Sequence, residues 1–267
     1  MTVDGLRCHA EDGVLWLTLD RPETRNALTI AMRRGLVTAV RAADADPQIR
    51  LVVLTGTDPA FSSGVDLKEA LGNPRGARTN PAEVLRAAST PVLGVINGPC
   101  YTGALELALS CAFLVASDRA RFADTHAAIG MLAGWGMSAL LPRAVGVRLA
   151  RQMMLTGEPV DAERALRAGL VNEVVPHDGL MARVRQIVAG ILAAAPAAVD
   201  TTLNLLATGD GATLAHAMTL EAEAKLRWRT DTADVTHRFT TRLGGGETDE
   251  TSSANVTTRV DPGESEL

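Results

Sequence analysis

The sequence predicts an α/β fold, with parallel strands alternating with helices and a helical C-terminal part. Three observations carry this. Short apolar runs rich in β-branched residues and bounded by Gly, Pro, Asn or Asp recur at 14–19, 50–55, 92–96 and 113–116, the signature of strands rather than helices. Between them lie stretches with helical spacing, the alternation that builds a parallel sheet with sites at strand C-terminal ends. Beyond Leu141 helical patterns continue alone.

Taken in order, Val14 to Leu19 is a strand broken by Asp20-Arg21-Pro22-Glu23. Asn26 is expected to cap a helix over 27–43, which Asp44 to Pro47 ends. A short buried strand over 50–55 closes at Gly56-Thr57-Asp58-Pro59, and the loop Phe61-Ser62-Ser63-Gly64-Val65-Asp66 leads into a short helix. Residues 72–81 have the composition of a flexible surface insertion. After the strands at 92–96 and 113–116, helices are expected over 147–154, 161–168, 180–193, 197–206 and 213–229. The acidic stretch 244–267 has no aromatic residue and reads as a disordered tail.

Hydrophobic residues make up 46% of the chain but aromatics only 3%, so a sizeable core must be built from Ala, Val and Leu. The net charge of -5 argues against nucleic acid as a partner. Cys8, Cys100 and Cys111 have no disulfide or metal spacing, and no cluster offers three metal ligands. The opening MTVDGLRCHAEDG has no apolar signal core and the closing Ser265-Glu266-Leu267 is not the peroxisomal address, so a cytoplasmic location is expected. Asn255-Val256-Thr257 spells a glycosylation acceptor, read as chance without a secretion signal. There is no P-loop, nucleophile elbow or dinucleotide fingerprint.

The richest stretch is 91–117, PVLGVINGPCYTGALELALSCAFLVAS, whose one charged side chain is Glu106. An isolated carboxylate among apolar residues is costly unless paired, protonated or used in chemistry. Asn97-Gly98-Pro99 and Thr102-Gly103-Ala104 are turn residues, so a helix starting near Gly103 would present bare N–H groups. A membrane span is disfavoured by the Pro, Asn-Gly-Pro and Glu inside it. With Gly103 as N-cap, Glu106 would also suit a plain third-position role favouring the helix dipole. Structural and catalytic readings both remain open on this segment alone.

Four segments in order resemble the crotonase family, the enoyl-CoA hydratase/isomerase superfamily. They are Leu19-Asp20-Arg21-Pro22 with Arg25-Asn26-Ala27-Leu28; Val52 to Gly56 with Phe61 to Lys68; Pro91 to Gly98 with Gly103 to Ala108; and Phe122 to Gly136 with Leu141-Pro142-Arg143, Leu155-Thr156-Gly157 and Ala168-Gly169-Leu170-Val171. The resemblance implies a spiral of ββα turns over 1–195, a C-terminal helical subdomain over 196–243, and assembly as a homotrimer or dimer of trimers. It implies an acyl-CoA thioester substrate, with no metal, no cofactor beyond the CoA on the substrate, and no membrane partner. By position, the N–H groups of Val65 and Gly103 would form the oxyanion hole, a sound arrangement because fixed dipoles aimed at a forming enolate need no reorganisation. Arg25 matches a basic position near the CoA phosphates. Asp66 and Lys68 fall at the family's adenine-binding loop, where backbone usually does the work; Ser63 is expected with them among the substrate-binding residues, and Trp135 at the acyl end, where it either shapes the pocket or packs the core.

One departure bears on the chemistry. Hydratases of this family use two glutamates; Glu106 matches the first, but His126 stands at the second, in Phe122-Ala123-Asp124-Thr125-His126. In an extended segment Asp124 would lie on the same side as His126 and could orient its imidazole. The alternative is a loop or pocket-lining histidine without proton transfer. The reading is therefore an enoyl-CoA hydratase-like lyase with Glu106 and His126 as catalytic residues. The alternatives are an enoyl-CoA isomerase using one carboxylate, a non-catalytic acyl-CoA binding protein, and thioester hydrolysis through Cys100 or Glu106.

Overall fold

The unbroken apolar runs at 51–56, 92–96 and 113–117 form the middle of a sheet buried on both faces. The computed structural model describes residues 3–73 and 79–244. In chain order its elements are β1 (Leu6–Glu11), β2 (Val14–Leu19), α1 (Ile30–Ala45), β3 (Leu51–Gly56), α2 (Leu67–Gly72), α3 (Pro81–Ala87), β4 (Val92–Ile96), β5 (Pro99–Tyr101), α4 (Gly103–Ala108), β6 (Phe113–Ser117) and β7 (Arg121–Ala123). Then come α5 (Met137–Val145), α6 (Val147–Thr156), β8 (Val160–Asp161), α7 (Ala162–Ala168), β9 (Glu173–Val175), α8 (Leu180–Ala193), α9 (Pro196–Gly209), α10 (Leu214–Arg227) and α11 (Thr232–Gly244).

The main sheet runs β1-β2-β3-β4-β6-β9. Only the β1–β2 hairpin is antiparallel; the other pairs are parallel. Parallel strands covered on both faces read as continuous apolar sequence, and the period-2 alternation reappears in what each residue touches. Val52 and Leu54 of β3, Val92 and Ile96 of β4, and Leu114 and Ala116 of β6 enter the larger core with Leu36 and Val40 of α1. Their neighbours Leu51, Val53, Leu93, Val95 and Val115 face the opposite way, against Leu180, Val184 and Val188 of α8.

A second, smaller sheet runs β5-β7-β8. It is continued by isolated parallel bridges, Ser62 to Cys100 and Leu28 to Val65. Successive turns of chain therefore stack in two layers: a long strand in the main sheet, a short one in the second, then a helix. This is the spiral of ββα turns that the resemblance implies. It accounts for 91–117 as β4, β5, α4 and β6 rather than as a span.

The described residues divide into two compact units, with the boundary between Ala217 and Met218. The boundary expected at 195/196 falls within the first. The described part of the second holds the end of α10 and α11. Of the insertion expected at 72–81, residues 74–78 lie outside the described residues, as do 245–267 of the expected tail and its Asn255 motif.

Three local expectations need correction. Helix α1 starts at Ile30 with Thr29 as its cap, the Thr29 side chain accepting from the Met32 N–H. Asn26 is instead a fully buried loop clamp in the left-handed region, φ 57°. Its Nδ2 donates to Thr57 O and Ala60 O, both at 2.7 Å, while its Oδ1 accepts from Arg21 N at 2.9 Å. Asn tolerates that conformation and carries donors and an acceptor on a short side chain, so the residue type that suits a cap also suits this loop. Secondly, Thr102 (φ 57°), not Gly103, is the cap residue of α4, which moves Glu106 from the third helical position to the fourth. Thirdly, 124–126 is not extended: β7 stops at Ala123, and by His126 the backbone is helical.

Candidate active site

The short strands of the second layer end side by side, and the segment leaving each end supplies one wall of a cavity. Tyr101 N donates to Ser62 O at 3.1 Å and Thr102 N to Ala123 O at 2.8 Å, fastening three consecutive turns together. After Ser62 the chain turns through Gly64 to Val65; after Tyr101 it enters α4; after Ala123 it folds through Asp124 and His126. The cavity between these segments has a volume of about 300 Å³, and its wall includes Ser63, Val65, Glu106, His126 and Trp135.

The backbone around Val65 leaves its amide available. Leu28 bonds on both sides of Val65, its N–H donating to Gly64 O at 2.8 Å and its carbonyl accepting from Asp66 N at 3.1 Å, so Val65's own N–H points away from that bridge. Gly103 N lies at the first helical position, where no intrahelical acceptor exists. Among the described residues neither amide donates to another protein group. They come close together because both turns use glycine. A Cβ on Gly64, at φ +98°, would stand 2.9 Å from Tyr101 O and 3.4 Å from Gly103 N. One on Gly103 would stand 3.1 Å from Val65 Cγ2, 3.2 Å from Trp135 Cζ3 and 3.6 Å from Val65 N.

Glu106 is 2% exposed. Its Oε1 accepts from the N–H of Trp135 at 2.6 Å and of Met137 at 3.2 Å. Its Oε2 faces His126 Nε2 at 3.9 Å. Burial raises the Glu106 pKa above the ordinary carboxylate value, against the opposing pull of the two amides and of nearby His126. The carboxylate is thus divided, one oxygen fixed by the backbone and the other turned to the cavity side.

His126 is held by Asp124, which is buried. Asp124 Oδ1 accepts from the His126 backbone N–H at 3.2 Å and sits 2.6 Å from Nδ1. The two side chains meet, but not through extended geometry: His126 has φ -55° and ψ -51°, at the start of a 3-10 turn. An Asp bonding to the amide two residues on makes this turn. A carboxylate only accepts, so Nδ1 carries the proton and Nε2 is the atom presented to Glu106.

The remaining expected residues separate. Ser63 lies on the wall, its hydroxyl donating to Thr24 O at 3.0 Å. Arg25 is exposed, in the left-handed region at φ 53°, and its carbonyl accepts from Ser63 N at 2.8 Å. Asp66 caps α2 and pairs with Arg21 at 3.1 Å. Burial works against ionisation of Asp66, but the bonds from Arg21 and the Glu69 amide hold its pKa below the usual value. Neither Arg25 nor Asp66 lines the cavity. Trp135 does both things open to it: its ring packs against Gly103 and lines the cavity, and its amide holds Glu106. Cys100 is wholly buried, away from the wall, and burial pushes its thiol pKa well up, so it is no nucleophile for thioester cleavage.

Two features had a signal in the sequence that the motifs did not bring out. Gly134 and Gly136 flank Trp135, and Gly136 at φ 122° lets the backbone fold its amides onto Glu106. Arg33 comes three residues after Ile30 and three before Leu36, a cation on the apolar stripe of α1; it is 1% exposed and on the cavity wall.

With this geometry the chain can be compared with known proteins. A family model described as enoyl-CoA hydratase/isomerase matches residues 9–238. The chain is 36% identical over 215 residues to a probable peroxisomal enoyl-CoA hydratase 1 of Arabidopsis thaliana, covering 79% of this chain and 81% of that protein. It is similar to the crystal structure of enoyl-CoA hydratase from Mycobacterium tuberculosis H37Rv, at 44% identity and a TM-score of 0.72 over 84% of this chain and 98% of that one. An enoyl-CoA hydratase subunit I from Geobacillus kaustophilus HTA426 gives 27% identity and a TM-score of 0.82, over 89% and 95%. Two layers of short and long strands in a spiral, paired free amides and one buried glutamate accompany a family match along most of the sequence, and the chain belongs to the enoyl-CoA hydratase/isomerase family.

Proposed function

We propose that the protein adds water to a trans-2-enoyl-CoA thioester, with CoA carried by the substrate and no other cofactor. The observation that carries this reading is the cavity lined by Val65, Glu106 and His126, with Gly103 beside Val65 so that a Cβ on it would stand 3.6 Å from Val65 N. The thioester oxygen sits between the Val65 and Gly103 N–H groups, where fixed donors stabilise the enolate as it forms. Oε2 of Glu106 takes a proton from water, and the hydroxide oxygen bonds to C3. The electron pair of the C2–C3 double bond moves toward the carbonyl. C2 then takes a proton from the imidazolium Nε2 of His126, which leaves Glu106 protonated and His126 neutral; transfer of that proton back to His126 restores the starting state. Asp124 acts through His126, as a positioning residue that fixes the tautomer. Arg25 and the loop of Ser63 and Asp66 lie toward the CoA, and the assembly is a homotrimer or dimer of trimers.

A panel of 2-enoyl- and 3-enoyl-CoA thioesters, with products identified by mass and NMR, tests the reading. Addition of one water to the 2-enoyl esters is the expected result. Migration of the double bond without water would replace it by isomerisation, and saturable binding without product would leave a binding protein.

A further inference from the structure

We infer that Arg86 is a positioning residue for Glu106: from α3 it holds the far side of Trp135, and so fixes the stretch of backbone that grips the carboxylate. The inference rests on the reading of Glu106 as the group that moves the proton.

The segment entering α5 has few bonds of its own. Among the described residues, the main chain of 132–135 makes two hydrogen bonds, both at Trp135 and both to side chains. The Trp135 N–H donates to Glu106 Oε1 at 2.6 Å, and the Trp135 carbonyl accepts from Arg86 Nη1 at 2.8 Å. One residue is thus held by an acid on one side and a cation on the other, and bonds to charged groups are the stronger kind. The same Nη1 donates to Ser110 Oγ at 2.9 Å, and Ser110 Oγ donates to Glu106 O at 2.7 Å. Arg86 therefore ties the backbone of Glu106 to the backbone that fixes its side chain. The approach is close, since a Cβ on Gly136 would stand 3.4 Å from Nη1.

Helix α3 is a firm base for this contact, because Asn80 caps it and Ala82 and Leu85 enter the core. Arg86 is exposed and off the cavity wall, so it acts through Trp135 and Ser110 rather than on substrate. Burial raises the Glu106 pKa, and the amide bonds from Trp135 and Met137 pull it back down. Hydrogen bonds to the charged form favour that form, so loosening them raises the pKa further. The other charged groups at the carboxylate are His126 and Asp124, and Arg33 of α1 lines the same cavity; replacing Arg86 leaves all three in place.

The test reads Glu106 directly in the intact protein. Infrared difference spectra across pH follow its protonated carboxyl band, identified by its loss in Glu106→Gln, and they need no turnover. In Arg86→Met the midpoint of that titration is expected to move to higher pH. Ser110→Ala, which removes one of the two acceptors of Arg86, should move it the same way by less. In hydration of a 2-enoyl-CoA, Arg86→Met should lower kcat at least about tenfold and change KM by less than about twofold, because a small misplacement of a reacting group is costly to the chemical step. Arg86→Lys, a cation with donors for both acceptors, should recover part of the loss. A folded Arg86→Met protein with the wild-type midpoint overturns the inference, as does an unmoved midpoint in Ser110→Ala if the first variant does not fold. Wild-type kcat in Arg86→Met also overturns it and leaves the hydratase reading intact. Failure of the wild type to hydrate any 2-enoyl ester would remove the hydratase reading, and the infrared midpoints would still decide whether Arg86 positions Glu106.

Discussion

Replacing Gly103 by alanine tests the paired amides with little disturbance to the backbone. Gly103 is outside the left-handed region, so alanine fits its conformation, and at a helical position alanine gains about 0.5–1 kcal/mol over glycine. The added methyl, however, meets Val65 Cγ2 at 3.1 Å and Trp135 Cζ3 at 3.2 Å. Carbon atoms prefer about 3.5–4.0 Å, so both neighbours must yield by a few tenths of an ångström. Overpacking of this kind costs about 1–3 kcal/mol, leaving a net loss of stability of about 0–2.5 kcal/mol after the helical gain. The catalytic effect should be larger. The methyl stands 3.6 Å from Val65 N, beside the space an oxygen needs to accept from that amide, and it presses on the residue whose N–H fixes Glu106. Loss of one oxyanion donor costs about 10²–10³ in rate, and a fall of that size in kcat/KM is expected here. Steady-state hydration of a 2-enoyl-CoA, alongside chemical denaturation of the same preparation, separates the two effects. A folded Gly103→Ala protein with kcat/KM within about threefold of wild type would show that the carbonyl does not sit at these amides.

Glu106→Gln should lower kcat by at least about a hundredfold while leaving CoA-ester binding nearly unchanged. Because burial raises the folded-state pKa of Glu106, its favourable contribution is present at acid pH and is lost as pH rises through that raised value. The glutamine variant should therefore gain thermal stability relative to wild type between acid and neutral pH, and a constant Tm difference would refute the assignment. In the wild type, the acid limb of kcat/KM should lie above the ordinary glutamate value of 4.5. His126→Ala should depress kcat more than it changes KM, and Asp124→Asn should do the same by a smaller factor; if only KM moves in both, His126 merely lines the pocket. Asn26→Ala strips Thr57 O and Arg21 N of their bonds to this side chain and leaves Ala60 O the longer bond from Asn97, and should cost about 2–4 kcal/mol in urea unfolding, whereas a loss under about 0.5 kcal/mol would dismiss the clamp.

Legibility in the sequence tracked physical cause. Strands β2, β3, β4 and β6 could be read because burial on both faces leaves an apolar run that turn residues punctuate. Strands of two or three residues, such as β5, β7 and β8, leave no periodicity to read; they exist through pairing with neighbours distant in sequence. Glu106 stood out as one charge in an apolar stretch. The groups that fix it could not, because the N–H donors of Trp135 and Met137 are common to every residue except proline, and only the flanking glycines hint at their use. Asp124 and His126 were paired correctly from the wrong geometry: a turn brings i and i+2 together as readily as a strand does. Asn26 shows the reverse difficulty, one residue type serving a helix cap and a loop clamp equally well.

The stacking of short strand ends has a consequence for how such a protein can change. Val65 comes from one turn of the coil, Gly103 and Glu106 from the next, and Asp124 and His126 from the one after. These three lengths of chain are joined to one another through main-chain bonds that are indifferent to side-chain identity. Under the proposed mechanism, a substitution in the last of these turns exchanges one proton donor for another while the spacing of the two amides is kept. The architecture behaves as a rack of interchangeable parts, in which a histidine can stand where a glutamate is expected without the rest of the machinery being rebuilt.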